Sequence, residues 1–133
     1  MMNYITRTRV RNRRLRNMFR RERELNPQLS DYAILSRVVH RPVPGGYFMS
    51  VEYARRRLAQ MESGKVKACN EPIRQMMWEE ISRAVRREML NTGCSRCQAI
   101  CTVIATGTAS RFFITMNQAL RILSDDMKLE LSL

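Results

Sequence analysis

A chain of 133 residues is long enough for one domain, or for two small ones that share a core. Its apolar share of 44% allows a packed interior and argues against wholesale disorder. The 24 Lys and Arg against 12 Asp and Glu leave +12, a charge that points to polyanionic partners, nucleic acid ahead of an anionic membrane surface. The opening MMNYITRTRV lacks the apolar stretch of a secretory signal. The longest weakly polar run, Ala99 to Ala109, is too short to span a bilayer. A cytoplasmic protein with reduced thiols and no membrane span is therefore expected.

The first element predicted is a helix from Thr8 to about Leu25, within RTRVRNRRLRNMFRRERE. Leu15, Met18, Phe19 and Leu25 fall on one helical face and are the residues expected to be buried. Nine arginines against Glu22 and Glu24 give residues 1 to 25 a net +7 of the total +12. These arginines wrap most of the circumference, so no docking face keeps them all from water. Tyr4 to Arg14 precedes the strongest apolar positions, and an arm that frays or folds on contact is the other reading of that part. The stretch resembles the arginine-rich RNA-binding motifs of some viral and phage proteins, mostly in composition.

A short second helix follows, Asp31 to Val39, with Ser30 as N-cap and Leu29 placed for a hydrophobic staple. His40, the only histidine, should cap its C-terminal end. The connector HRPVPGGYFMS cannot be helical, because its prolines and glycines forbid it. Its aromatic pair can lie extended and plug the core. A third helix opens at Ser50 with Val51, Ala54, Leu58 and Met61 inward. It carries Arg55, Arg56, Arg57 and Gln60 outward. Residues 62 to 72 form a join.

The rest of the chain repeats this order. At an offset of 65, Leu25 matches Leu90, Asn26 Asn91, Ser30 Ser95, Val38 Val103, Phe48 Phe113, Ala54 Ala119, Arg56 Arg121 and Leu58 Leu123. About two identities are expected by chance from average residue usage. The second copy then predicts a long helix from Ile73 to Leu90, started by Asn70 and Pro72, with Ile73, Met77, Ile81, Ala84 and Val85 inward. It predicts a second helix capped by Ser95 with Cys94 as staple, and a third capped by Thr115. TMNQ there is a capping box, with Met116, Ala119 and Leu123 inward. The expected architecture is all-α: two tandem tri-helical repeats, 1–64 and 65–133, packed into one compact unit.

Within each copy the second and third helices resemble a helix-turn-helix, whose later helix would present Arg55, Arg56 and Gln60 to a groove with Arg57 on the flank. The connector of about ten residues departs from the three or four of that motif. The second copy offers Asn117, Gln118, Arg121 and Asp125 in the same places, a poor match to phosphate. CSRCQAIC has the spacing of a metal run, yet Cys97, Ile100, Cys101 and Ile104 also make one apolar stripe, the commoner fate of such thiols. A fourth zinc ligand would have to be Cys69 or His40, far along the chain, so no metal or other cofactor is expected. No nucleophile–base set or phosphate-binding loop is present, and no enzyme is expected. Trp78 reads as a packing anchor.

The phrase RFFIT with Ala119 is similar to a phrase in small uncharacterised basic proteins of gut bacteria and their mobile elements, a resemblance that implies no activity. The first copy has GYFMS there, with glycine where Arg111 stands. The functional expectation is nucleic-acid binding, DNA ahead of RNA, in regulation or packaging. Arg13, Arg14, Arg16, Arg20, Arg21 and Arg23 would hold phosphates, and Arg55, Arg56, Arg57 and Gln60 would meet a groove. The alternative is a protein-interaction module or homodimer, with Met76 and Met77 in its sticky surface.

Overall fold

The computed structural model describes residues 4–64 and 71–131, with side chains placed over 6–64 and 71–125. In chain order the elements are α1 (Tyr4–Leu25), α2 (Asp31–Val39), β1 (Val43–Pro44), α3 (Val51–Glu62), α4 (Pro72–Thr92), α5 (Arg96–Thr106), β2 (Thr108–Ala109) and α6 (Met116–Leu131). The protein is all-α in class, with one pair of two-residue strands among the described residues. Most of the join, with Cys69 and Asn70, lies outside the described residues. The stretch from Tyr4 to Arg14 is continuous helix, not an arm.

The helix starts follow the side-chain chemistry at each cap. Ser30 Oγ accepts from the Ala33 N–H at 3.2 Å, and Ser50 Oγ from that of Tyr53 at 3.0 Å. In the second copy both caps are reciprocal boxes. Thr115 Oγ1 accepts from the Gln118 N–H at 3.0 Å while Gln118 Oε1 accepts from the Thr115 N–H at 2.9 Å. Ser95 and Gln98 do the same at the head of α5. Each cap stabilises its helix by about 1 kcal/mol. α4 starts at Pro72 behind Glu71, whose carboxylate accepts from the Arg74 N–H, and ends at Gly93, where φ of 68° needs a residue without Cβ. His40 caps α2, its Nδ1 2.8 Å from the Ser36 carbonyl.

Two cores result, and each draws on both halves of the chain. The first joins Leu15 of α1 and Leu35, Val38 and Val39 of α2 to Phe112, Ile114 and Ala119 from the second copy. The second joins Trp78, Ile81 and Val85 of α4 and Ala99, Ile100, Val103 and Ile104 of α5 to Tyr47, Ala54 and Leu58 from the first. The third helices are thus exchanged: α6 packs on α2 and α1, and α3 packs on α5. The division after residue 64 separates the copies along the chain but does not separate the cores. For the same reason α2 and α3 do not form a helix-turn-helix pair. Besides α1, the helix against α2 is α6, and the helix against α3 is α5.

The crossing of the two connectors forces the exchange. β1 and β2 pair antiparallel, Val43 with Ala109 and Pro44 with Thr108. The Gly45 N–H donates to the Gly107 carbonyl at 2.8 Å, and the Phe112 N–H to the Val39 carbonyl at 2.9 Å. Beyond the strands Tyr47 stacks on Phe113 with ring centroids 6.3 Å apart, and Phe48 on Phe112 at 6.2 Å. A shift of 65 residues turns each of these pairs into the other. Phe112 and Leu15 are fully buried, and burying side chains of that size contributes roughly 1.5–3 kcal/mol each.

Two expectations about burial are corrected. Leu25 is 71% exposed, because α1 runs past the core before it ends, and its counterpart Leu90 is exposed as well. Cys97 and Cys101 are exposed; the buried face of α5 is Ala99, Ile100, Val103 and Ile104. Ile100 and Ile104 fit either stripe. The position of α3 and α4 decides which flank of those isoleucines is covered.

Buried Glu22 fastens the end of α1 to that of α2. It accepts from Arg41 at 2.8 Å and from Asn26 Nδ2 at 3.1 Å, with Arg37 at 3.7 Å. The bond from Arg41 holds its carboxyl below the usual range against the opposing effect of desolvation, and Arg37 adds to the shift. A lowered carboxyl pKa contributes stability above the unfolded-state value, and that contribution is lost as pH falls through the folded-state value. Glu22→Gln is therefore expected to melt earlier than the parent near neutral pH, with the gap closing as both are acidified; a thermal-melt series against pH checks this. A chain ending at residue 64 lacks α6 and would leave Leu15, Val38 and Val39 uncovered. It is expected to fold only as a dimer that trades third helices, and a folded monomer in sedimentation would contradict the exchange.

Candidate nucleic-acid interface

The N-terminal half of α1 stands over the first connector and α3, and two clefts open beneath it. One, of about 710 Å³, has Arg7 and Arg11 of α1 on one wall, and Tyr53 and Arg56 of α3 with Arg74 of α4 on others. Its aromatic lining is completed by Tyr47, Phe48, Trp78 and Phe113. The other, of about 780 Å³, has Arg7, Val10 and Arg14 of α1 facing Arg55 of α3 and Cys97 and Ile104 of α5. The clefts share Arg7 and the segment Phe48, Met49, Ser50, so they lie on either side of it. Glu52 is the carboxylate that both contain.

Phe48 is the partition between the clefts. Its φ of 53° is left-handed, a backbone state that costs a non-glycine residue on the order of 1–3 kcal/mol. Two contacts hold it there, and a third bond fixes the arginine in one of them. Its ring stacks on Phe112, the Arg14 guanidinium lies 5.6 Å from its centroid, and Arg14 Nη1 donates to the Pro44 carbonyl at 2.7 Å. In the first cleft the Arg56 guanidinium lies 5.9 Å from the Tyr53 ring, which is tilted against Trp78 at 6.0 Å. Trp78 is only 3% exposed and anchors the core beneath that wall.

Glu80 sets the position of Tyr47. Its Oε2 accepts from the Tyr47 hydroxyl at 2.8 Å and from the Ser110 N–H at 3.0 Å, tying α4 to both connectors. Burial first, then the neighbouring carboxylate, pushes the Tyr47 phenol well above its ordinary pKa, so it stays a donor. Sixty-five residues away, Leu15 and Phe112 stand in the places of Glu80 and Tyr47, both fully buried. The same position is thus a polar pair beside the cleft and an apolar pair away from it.

Of the ten residues expected to bind, the structure brings Arg14, Arg55 and Arg56 to these clefts. Arg57 and Gln60 are half-buried and line neither. Arg13, Arg16, Arg20 and Arg21 lie elsewhere on α1, and Arg23 is ion-paired with Asp31 of α2. Arg7, Arg11 and Arg74 line the clefts as well, although they are not among those ten. The first two fall in the part of α1 read as a fraying arm, and Arg74 reaches the cleft from a distant part of the chain. Arg111, from the RFFIT phrase, is half-buried and donates to the carbonyls of Phe112 and Ile114 at 2.9 and 3.0 Å. It clasps its own connector, and burial lowers its pKa from the usual arginine value. Gly46 takes that place in the first copy, where an added Cβ would lie 2.5 Å from that of Val43.

Among the described residues no group of three or more His, Cys, Asp or Glu is placed to hold a metal ion. None of the helices, among the described residues, is long and apolar enough to cross a membrane. No protein-family model, curated protein or solved structure matches this chain. Its fold and clefts define an all-α, strongly basic protein with arginine–aromatic recesses.

Tyr47→Phe removes the donor to Glu80 while keeping the ring, and the Ser110 N–H keeps that carboxylate partly bonded. The variant should lose about 1 kcal/mol of unfolding free energy, rising toward 3 if the carboxylate is left short of a partner. Denaturant titration measures it.

Proposed function

We propose that this protein binds nucleic acid, with DNA the expected partner and a regulatory or architectural role. One observation carries the reading: guanidinium groups from α1, α3 and α4, distant in sequence, converge with aromatic rings on two adjoining clefts. Arginine suits this task because its planar fork meets phosphate oxygens in pairs and also stacks on rings. The aromatic walls favour contact with bases over simple charge neutralisation. The two copies are read as products of a duplication in which the half carrying the arginine-rich helix acquired the binding surface.

A protein-interaction role draws support from large apolar side chains at the surface, including Met76 at 50% exposure and Tyr32 at 58%. They come from different helices, α4 and α2, and the clefts offer more chemistry than they do.

Fluorescence anisotropy with a labelled random duplex, a single strand and a structured RNA at two salt concentrations tests the proposal. Binding should weaken steeply with salt, and Arg56→Ala should lower the slope of log K against log salt by about one. Absence of binding to every ligand at low salt would overturn it.

A further inference from the structure

We infer that the cleft between α1, α3 and α4 receives an unpaired nucleotide of a single strand, its base against the aromatic wall and its phosphate among the arginines. This deepens the nucleic-acid reading and rests on it. The volume, about 710 Å³, is of the size that holds a small ligand rather than a duplex. Five aromatic rings and four guanidinium groups share the lining with one carboxylate, Glu52. A ligand that satisfies both sets must carry a flat apolar face and a negative charge a few ångströms apart. A nucleotide does so, whereas phosphate alone uses only the arginines.

The geometry also argues against a duplex as the occupant. The wall formed by Tyr53 and Arg56, with the N-cap Ser50 before them, belongs to the start of α3 and shares the cleft with Arg7 and Arg11 of α1. With α1 across the cleft from this part of α3, a rigid duplex has less room on that face than a single strand, whose unpaired base can turn into the recess. Tyr53 is the exposed ring, at 41%, backed by Trp78 and with Arg56 beside its face. A base laid on Tyr53 gains stacking from the ring and from the guanidinium plane. The left-handed backbone at Phe48 keeps the far wall of the cleft in place.

The experiment compares a single-stranded oligonucleotide, an abasic strand of the same length and charge, a duplex and a mononucleotide. Affinity is followed by anisotropy, and the environment of Trp78, the only tryptophan, by its emission. The base-bearing single strand should bind at least ten times more tightly than the abasic strand and should alone quench Trp78. Tyr53→Ala should weaken the single strand by about 5- to 150-fold and leave the abasic strand and the salt slope unchanged, while Tyr53→Phe retains binding. Unchanged melting of both variants guards against loss of fold.

Equal affinity for abasic and normal strands, or preference for the duplex, would overturn the nucleotide site and leave the polyanion reading standing. A mononucleotide that binds as tightly as the strand would overturn the strand as the source. Failure of every ligand would remove the parent reading as well.

Discussion

Everything else in this molecule depends on the crossing of its two connectors. A pair of two-residue strands is too small to stabilise a fold alone. Its consequence is large because each connector, once across, delivers its third helix to the other half. The stacks of Tyr47 on Phe113 and Phe48 on Phe112 continue the crossing into both cores. Gly45 and Gly46 make it sterically possible: the first has φ of 62°, and the second is packed too closely against Val43 to carry a side chain. The two cores are therefore locked to each other by chain topology as well as by contact.

The crossing also creates the candidate site. The exchange sets α3 beside α4 and α5, and the N-terminal half of α1 then reaches over it. Arginines of the first, third and fourth helices meet as a result. Their electrostatic situations differ: Arg37 and Arg41 neutralise buried Glu22, Arg23 is paired with Asp31, Arg96 with Glu62, and Arg111 holds its own backbone. These are structural charges. On the clefts, too, Arg74 lies 4.0 Å from the Glu71 carboxylate and Arg14 donates to the Pro44 carbonyl, so net charge alone overstates the positive charge left to the surface.

Positions 65 residues apart carry different chemistry in the two halves of the chain. Where the first core needs only filling, Leu15 meets Phe112. Where the cleft requires an oriented ring, Glu80 and Tyr47 take the same places and form a hydrogen bond that also reaches Ser110. The buried Tyr47 hydroxyl without the carboxylate would be left short of a partner, whereas the carboxylate without the hydroxyl keeps the Ser110 N–H.

By itself the sequence determined the helices, their caps and most of their inward faces, because these follow from local spacing and from side chains three or four residues apart. Ser30, Ser50, Ser95 and Thr115 bond as their positions require, His40 closes α2, and Trp78 is buried. Tertiary structure alone decided which third helix covers which core, since both copies present similar apolar faces and either partner satisfies the pattern. It also decided that Cys97 and Cys101 stay outside, because periodicity gives a stripe but not the side from which neighbours arrive. The arginines divide in the same way. Their abundance is a property of the composition, but the meeting of Arg7, Arg11, Arg14, Arg55, Arg56 and Arg74 around aromatic walls is a property of the crossing, which no local pattern encodes.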